Sequence, residues 1–211
     1  MRKFIVIIMT LVSVSLYGQE QVHVGDILCT DNTVISHDAF ASSGRTALGI
    51  VFFVDNTQQH GWALALNDAS ATTMPWGDNT VMCYLDSYSN YTQLTMNDTI
   101  GSIRCDSIAR KAQHDGMTLS AYSIAVNTAI QYGEGWYLPA IGQLAIMYAN
   151  MPEINAALDV VQGSSKMNGQ RYWSCTEENT GVTSAWLLLF NGASTYSPKG
   201  DYASVRAIRN F

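Results

Sequence analysis

The stretch R-Y-W-S-C-T-E at residues 171–177 places a cysteine, Cys175, two residues before an acid, Glu177. This spacing raises the question of nucleophilic chemistry, because the thiolate is the reactive form of cysteine. In a β-strand, residues i and i+2 point to the same face, so the Glu177 carboxylate disfavours a Cys175 thiolate. A stabilised thiolate needs a nearby cation or a helix N-terminus instead. The sequence therefore predicts a structural Cys175, either a buried thiol or half of a disulfide.

The other residues that bear chemistry form no recognisable catalytic or metal-binding pattern. The four histidines lack metal-ligand spacing, and the chain contains no G-x-S-x-G, P-loop or H-E-x-x-H motif. Pairs of Asp and Asn recur, but turn formation explains them without a cation. We accordingly expect no metal, no cofactor and no enzymatic activity.

The N-terminus has the three-part pattern of a secretory signal peptide. Arg2 and Lys3 precede an apolar run too short for a membrane span, and small residues follow up to Gly18. We expect cleavage after Gly18, one domain over residues 19–211, and a secreted, cell-surface or periplasmic location without a transmembrane segment. The mature chain then carries 9 basic and 17 acidic side chains, a net charge of −8, which argues against nucleic acid as a partner.

All four cysteines lie in this mature part: Cys29, Cys83, Cys105 and Cys175. There is no C-x-x-C pair, which argues against zinc-ribbon and thioredoxin-type sites. An even number in an exported chain permits disulfides, but four cysteines allow three pairings and the sequence does not choose among them.

The order of elements predicts an α+β fold. Runs rich in β-branched and aromatic residues predict strands between residues 24 and 66, and residues 67–101 are irregular. Apolar residues then repeat at helical spacing over residues 102–113 and 120–132 and in two short segments that begin near Pro139 and Pro152. Strands return at R-Y-W-S-C-T, S-A-W-L-L-L-F and A-S-V-R-A-I-R-N-F, and Asn191-Gly192 predicts a type I′ hairpin turn.

The C-terminal part, W-Y-L-P-A…Y-W-S-C-T-E…A-W-L-L-L-F-N-G…K…V-R-A-I-R, resembles the DUF1566 family, the C-terminal domain of the Legionella collagen-like adhesin. The resemblance covers residues 136–211, in order and at sensible spacing. The matching residues are Trp136, Leu138, Pro139, Tyr172, Trp173, Ser174, Thr176, Glu177, Ala185, Trp186, Phe190, Lys199, Val205, Arg206 and Arg209. The resemblance implies a C-type-lectin-like fold, with two main helical regions, a small twisted antiparallel sheet and long loops that present the binding surface.

Within this motif we expect structural roles. Trp136, Trp173 and Trp186 are predicted to lie in the core, as aromatics in apolar strands usually do. A buried carboxylate needs a partner, so Glu177 is predicted to accept backbone N–H groups or to pair with Arg206 or Arg209. Family members usually carry Ser at the position of Cys175, which argues against shared thiol chemistry.

The first functional hypothesis is a secreted or cell-surface C-type-lectin-like binding domain that recognises a glycan or protein ligand in adhesion. The alternatives are a non-catalytic structural subunit of a surface assembly and a relative of formylglycine-generating enzymes, whose chemistry needs reactive cysteines. For a binding surface, we expect aromatic contacts from two residues of the irregular region and further contacts from C-terminal loops. These candidates are Trp76, Tyr91, Asn179, Asn191, Ser194 and Tyr196.

Overall fold

A computed structural model describes residues 21–79, 97–167, 171–178, 183–189 and 191–211. Over these ranges the chain forms five helices and eleven strands, which confirms the α+β class. The helices are α1 (His37–Ser43), α2 (Gly101–Asp115), α3 (Ser120–Tyr132), α4 (Ile141–Ala149) and α5 (Met151–Val160). The strands are β1 (Ile27–Cys29), β2 (Val34–Ile35), β3 (Ala47–Val54), β4 (Gly61–Ala65), β5 (Met74–Pro75), β6 (Trp136–Tyr137), β7 (Arg171–Glu177), β8 (Ser184–Leu189), β9 (Ser194–Pro198), β10 (Tyr202–Ala203) and β11 (Ile208–Asn210).

Strands from both halves of the chain form a six-stranded antiparallel sheet in the order β2-β1-β3-β4-β11-β6. Its longest strand, β3, reads A-L-G-I-V-F-F-V, and the first six of these residues are buried. The C-terminal strand β11 pairs with β4 on one side and with β6 on the other. The last residues of the chain therefore join the N-terminal strands to the W-Y-L-P-A segment.

The strands β7, β8 and β9 form a separate antiparallel meander. The predicted β8–β9 hairpin is confirmed, but the predicted type I′ turn is wrong, because that turn needs positive φ at both central residues. Gly192 has a φ of +85°, whereas the non-glycine residues with positive φ in the described ranges are Asn32 and Gln58. Asn191 instead accepts a hydrogen bond from the Ala193 N–H through its side chain, at 3.0 Å.

The predicted helices after residue 101 are confirmed, and two side chains fix the start of α4. The Ala140 N–H donates to Gln143 Oε1 and the Ile141 N–H donates to Thr176 Oγ1, each at 3.0 Å. These bonds satisfy N–H groups that have no partner inside the helix. Since Thr176 belongs to β7, the second bond also attaches α4 to the meander.

Helix α1 was not predicted, because strands were expected throughout residues 24–66. Ser36 caps it by accepting a hydrogen bond from the Ala39 N–H at 3.3 Å. None of its residues is buried, so it carries no apolar stripe for a periodicity argument to find.

The predicted last strand is divided into β10 and β11. Between them, the carbonyls of Val205 and Ala207 accept hydrogen bonds from the N–H groups of Ala69 and Ala65, at 2.8 and 2.9 Å. The intervening backbone thus bonds to the segment that leaves β4, and the C-terminal segment changes partners along its length.

A single hydrophobic core joins the six-stranded sheet and the meander to the helices. Trp136, Trp173 and Trp186 all lie in it, as predicted. None of the helices in the described ranges is long and apolar enough to cross a membrane.

Candidate functional site

Three of the six predicted ligand contacts lie together on the β8–β9 hairpin: Asn191, Ser194 and Tyr196. Tyr91 and Asn179, as well as the motif residue Phe190, fall outside the residues that the structure describes. The hairpin therefore holds most of the predicted contacts that lie in the described ranges, and Trp76 lies elsewhere.

Glycine at position 192 holds the hairpin against helix α4. Its φ of +85° lies in the left-handed region that L side chains rarely adopt. In addition, a Cβ at this position would overlap the Tyr148 ring of α4. Both the turn conformation and the close approach to Tyr148 thus require glycine.

An aromatic pair packs across the two strands of the hairpin. Trp186 on β8 lies directly opposite Tyr196 on β9, with ring centroids 5.6 Å apart and an interplanar angle of 73°. Trp186 is buried, whereas Tyr196 is 56% exposed. Leu188 and Ser194 are the next opposed pair on the same side. We call these four residues, Trp186, Leu188, Ser194 and Tyr196, the hairpin face.

Two polar atoms of the hairpin face are buried without a hydrogen-bond partner among the described residues. They are the indole Nε1 of Trp186 and the hydroxyl Oγ of Ser194. Most buried polar groups in proteins are hydrogen-bonded, so such exceptions need an explanation. A ligand with hydroxyl groups would provide the acceptor and the donor if the neighbouring side chains moved aside to admit it, and the exposed Tyr196 ring would provide an apolar contact.

A fully bonded polar cluster lies at the base of the same meander. Lys199 Nζ is 2.5 Å from Glu177 Oε1, and both side chains are buried. The ammonium also lies 4.5 Å from the centroid of the Trp76 ring, and the Trp76 indole N–H donates to the Ser174 carbonyl at 2.8 Å. We call Glu177, Lys199 and Trp76 the buried ion-pair cluster.

This cluster corrects two predictions. Trp76 was expected to be an exposed aromatic contact, but it is 1% exposed and belongs to the core. Glu177 was expected to accept backbone N–H groups or to pair with Arg206 or Arg209, but the cation that it pairs with is Lys199. The reason is register: Glu177 ends β7 opposite Ala185, and Ser184 pairs with Pro198 just before Lys199. Lys199 belonged to the matched motif, yet its spacing gave no indication of its partner.

The two C-terminal arginines have other partners. Arg206 is buried, with Nε 2.8 Å from Asp68 Oδ1 and the two terminal nitrogens donating to the carbonyls of Ala65 and Ser165. Burial raises the pKa of the Asp68 carboxyl, and the Arg206 charge partly offsets that shift. The Arg209 guanidinium lies over the Trp136 ring at 5.6 Å, and burial lowers its pKa.

Sequence reasoning missed another buried polar cluster, around Asp98. Arg104 forms an ion pair with Asp98, and the Thr176 hydroxyl donates to Asp98 Oδ2 at 2.7 Å. The Gly142 N–H donates to the Asp98 carbonyl at 2.9 Å. In the sequence, Asn97-Asp98 is a typical turn pair. Asp98 is buried because α2, α4 and β7 pack around it in the folded chain.

Cys175 is buried, as predicted, and its environment does not favour a nucleophile. Burial raises the pKa of its thiol well above the usual value, and a hydrogen bond with Cys105 raises it further. Cys29, Cys105 and Cys175 are all free and buried. In the described ranges, no three His, Cys, Asp or Glu side chains come together to hold a metal ion.

Comparison with known proteins identifies a solved structure with a similar fold. No family model matches the chain, and a search of curated proteins also gave no match. Among solved structures, the chain is similar to a fimbrial protein from Bacteroides ovatus ATCC 8483, with a TM-score of 0.71 and 15% sequence identity. The similarity covers 90% of this chain and 49% of that protein, so this chain spans about half its length. The chain shares its fold with part of a fimbrial protein.

Proposed function

We propose that the protein is a non-catalytic subunit of a cell-surface assembly. The observation that carries this proposal is the fold shared with a fimbrial protein over 90% of the chain. Fold does not determine function by itself. The signal pattern in residues 1–18, which predicts export, agrees with such a role. The assembly subunit, first considered as an alternative, is thereby preferred to the lectin-like adhesin.

The test is to find the protein on its own cells. Antibodies against the protein would follow it through mechanical shearing of the cell surface and gel filtration of the sheared material. We expect it in particles far larger than the 23.1 kDa chain, labelled along or at the ends of filaments in immunoelectron microscopy. A protein recovered as a free monomer that binds a glycan would contradict the proposal.

Export and cleavage can be tested on the same material. N-terminal sequencing of the sheared protein should begin at Gln19 if the signal peptide ends at Gly18. A protein that retains Met1 and stays inside the cell would remove the basis for a surface role.

A second candidate function is recognition of a glycan or protein ligand at the hairpin face. The observation in its favour is the pair of polar atoms, Trp186 Nε1 and Ser194 Oγ, that have no partner within the described ranges and lie beside the exposed Tyr196 ring. Aromatic rings with adjacent hydrogen-bonding groups are suited to contacts that are apolar on one side and polar on the other. This function is compatible with an assembly subunit that presents its hairpin outward.

A glycan array screened with and without a chelator tests this candidate. A specific glycan should bind in both conditions, and Tyr196→Ala should reduce binding at least about tenfold if the ring is a central contact. Tyr202→Ala is the matched control, since Tyr202 is 58% exposed but lies on β10, outside the hairpin. Equal losses in both variants would argue against the hairpin face, and a blank array would favour a protein ligand.

We also propose that residues 136–211 are related to the DUF1566 family and have its C-type-lectin-like fold. Support comes from the motif residues themselves: Glu177 pairs with Lys199, and the Trp173 indole N–H donates to the Met74 carbonyl at 2.9 Å. Superposition on an experimentally solved DUF1566 domain tests the proposal. The acid and the lysine of that domain should form the same buried pair.

A further inference from the structure

We propose that Cys105 and Cys175 form a disulfide bond when the chain folds in an oxidising environment. Cys105 lies in the second turn of α2 and Cys175 lies in β7. The bond would link a helix to the meander across about 70 residues of sequence. The proposal rests on the predicted export and not on the assembly role, so it can succeed or fail independently of that role.

Hydrogen bonds to two shared segments bring the cysteines together. The Cys175 thiol donates to the carbonyl of Gly101 at 3.7 Å, and Gly101 lies one helical turn before Cys105. The Cys105 thiol donates to the carbonyl of Leu138 at 3.3 Å, and the Cys175 N–H donates to the next carbonyl, that of Pro139, at 2.8 Å. Both cysteines are thus positioned against the same turn of α2 and the same end of W-Y-L-P-A.

Close packing allows this approach. A Cβ on Gly101 would lie 2.8 Å from Ala140 N and 3.0 Å from the Tyr137 ring, so glycine lets the first turn of α2 sit directly on these residues. The two buried thiols therefore lie in the same small region of the core. Residues that are already neighbours can form a disulfide with little backbone movement, since the bond requires Cα atoms no more than about 7 Å apart.

Cys29 provides the internal contrast. It is also free and buried, but its thiol donates to the Ile27 carbonyl of its own strand at 3.8 Å. Burial raises the pKa of Cys29, as it does that of Cys175. Among the cysteines in the described ranges, hydrogen bonds to the same two segments distinguish Cys105 and Cys175 from Cys29.

The chemistry is thiol–disulfide exchange with a small or protein disulfide. One cysteine thiolate attacks the oxidant's disulfide, forms a mixed disulfide and releases one thiol. The second cysteine then attacks the protein sulfur and releases the second thiol. In total, two protein thiols are oxidised to one disulfide and the oxidant is reduced to two thiols. Because both side chains are buried in the folded state and out of reach of an oxidant, we expect the reaction before α2 has docked.

The experiment refolds the full exported protein from denaturant with oxidised and reduced glutathione as the probe. Acid-quenched samples are alkylated with N-ethylmaleimide under denaturing conditions and analysed by intact mass and peptide mapping. We expect two of the four cysteines to escape alkylation and a peptide cross-link between Cys105 and Cys175. The Cys29→Ser variant should give the same cross-link, and Cys105→Ser should leave Cys175 open to alkylation.

Two further measurements do not depend on how the variants fold. Adding a reductant to the oxidised wild-type protein should lower Tm by roughly 10 °C. Oxidation of the reduced, folded protein should be at least about tenfold slower than oxidation during refolding. Alkylation of all four cysteines after oxidative refolding, or a cross-link from Cys175 to Cys29 or Cys83, would overturn the proposal.

Discussion

The hairpin face lies on β8 and β9, and the buried ion-pair cluster forms where the ends of β7 and β9 meet Trp76, yet the two regions differ in how their polar atoms are bonded. In the cluster, Lys199, Glu177 and the Trp76 indole all have partners at short distances. On the hairpin face, Trp186 Nε1 and Ser194 Oγ have no partner in the part of the chain that the structure describes, although both atoms are buried. Each region also contains one large aromatic side chain from the predicted contact set, and the structure buries Trp76 while exposing Tyr196.

This difference separates two kinds of buried polar residue. Breaking a satisfied pair leaves a charge without compensation, so such a pair resists substitution. An unsatisfied atom already carries a desolvation cost, and removing it costs little unless a partner supplies the missing bond. Stability measurements should therefore respond to the cluster, and binding measurements should respond to the hairpin face.

The largest effect is expected from Lys199→Met. The substitution leaves the Glu177 carboxylate buried without its cation, and we expect a loss of about 3–5 kcal/mol in the free energy of unfolding. Urea denaturation followed by circular dichroism measures this loss.

The double variant Lys199→Met, Glu177→Leu serves as the control. Removing both charges should recover much of the stability, because the penalty of the single variant comes from the unpaired carboxylate. A single variant as stable as wild type, or a double variant no better than the single, would show that the pair is not structural.

Gly192→Ala tests the attachment of the hairpin. Positive φ and overlap with Tyr148 both oppose a Cβ at this position, and we expect a destabilisation of about 1–3 kcal/mol. Gly200→Ala, just after β9, is the matched control, since apart from its chain neighbours no atom of the described residues lies within 4 Å of its added Cβ. Thermal unfolding of both variants makes the comparison, and equal Tm values would exclude the packing of Gly192 on Tyr148.

The pH dependence of stability should separate buried from exposed acids. Burial raises the folded-state pKa of Asp68 above the usual 3.8. Its contribution to stability is therefore fully present below pH 3.8 and is lost as pH rises through the folded-state pKa. The stability difference between wild type and Asp68→Asn should decrease as pH rises from about 3 towards 7.

Asp31 provides the opposite case. Hydrogen bonds from Thr33 lower its pKa, so its contribution is present above pH 3.8 and is lost as pH falls through the folded-state pKa. The difference between wild type and Asp31→Asn should accordingly change with pH in the reverse direction. Tm measured across this pH range tests both, and slopes of the same sign would contradict the assignment.

Local sequence patterns predicted the elements better than their contacts. The helical periodicity after residue 101 and the apolar run of β8 were sufficient, because these elements bury one stripe or both faces. Helix α1 was not predicted because none of its residues is buried, so its sequence has no apolar periodicity. The prediction of a type I′ turn at Asn191-Gly192 was wrong because the Asn-Gly pair also occurs in turns that have positive φ at one residue alone.

Tertiary partners could not be read from the sequence. The sequence pattern did not determine which of several cations pairs with Glu177. The strand register places Lys199 beside it. Trp76 lies in a polar, irregular stretch. Its burial depends on contacts with Ser174 and Lys199, which lie about 100 or more positions later in the chain. The placement of Asn191, Ser194 and Tyr196 on one hairpin could be predicted, because a hairpin is a local structure.

Replacing Ser174 and Ser194 with alanine, one at a time, compares a bonded hydroxyl with an unbonded one. The Ser194 variant is expected to have the smallest effect on stability. Ser174 donates to the Trp186 carbonyl at 2.7 Å and accepts from the Thr176 N–H at 3.2 Å, so Ser174→Ala should cost about 1–3 kcal/mol. Ser194 has a buried hydroxyl with no partner in the described ranges, so Ser194→Ala should stay within about 0.5 kcal/mol of wild type or stabilise the fold slightly. If Ser194→Ala were as destabilising as Ser174→Ala, its hydroxyl would have a partner within the folded chain, and the hairpin face would lose its main claim to an external ligand. If it left stability unchanged and weakened binding of a glycan or of a neighbouring subunit, the missing partner would lie in that ligand.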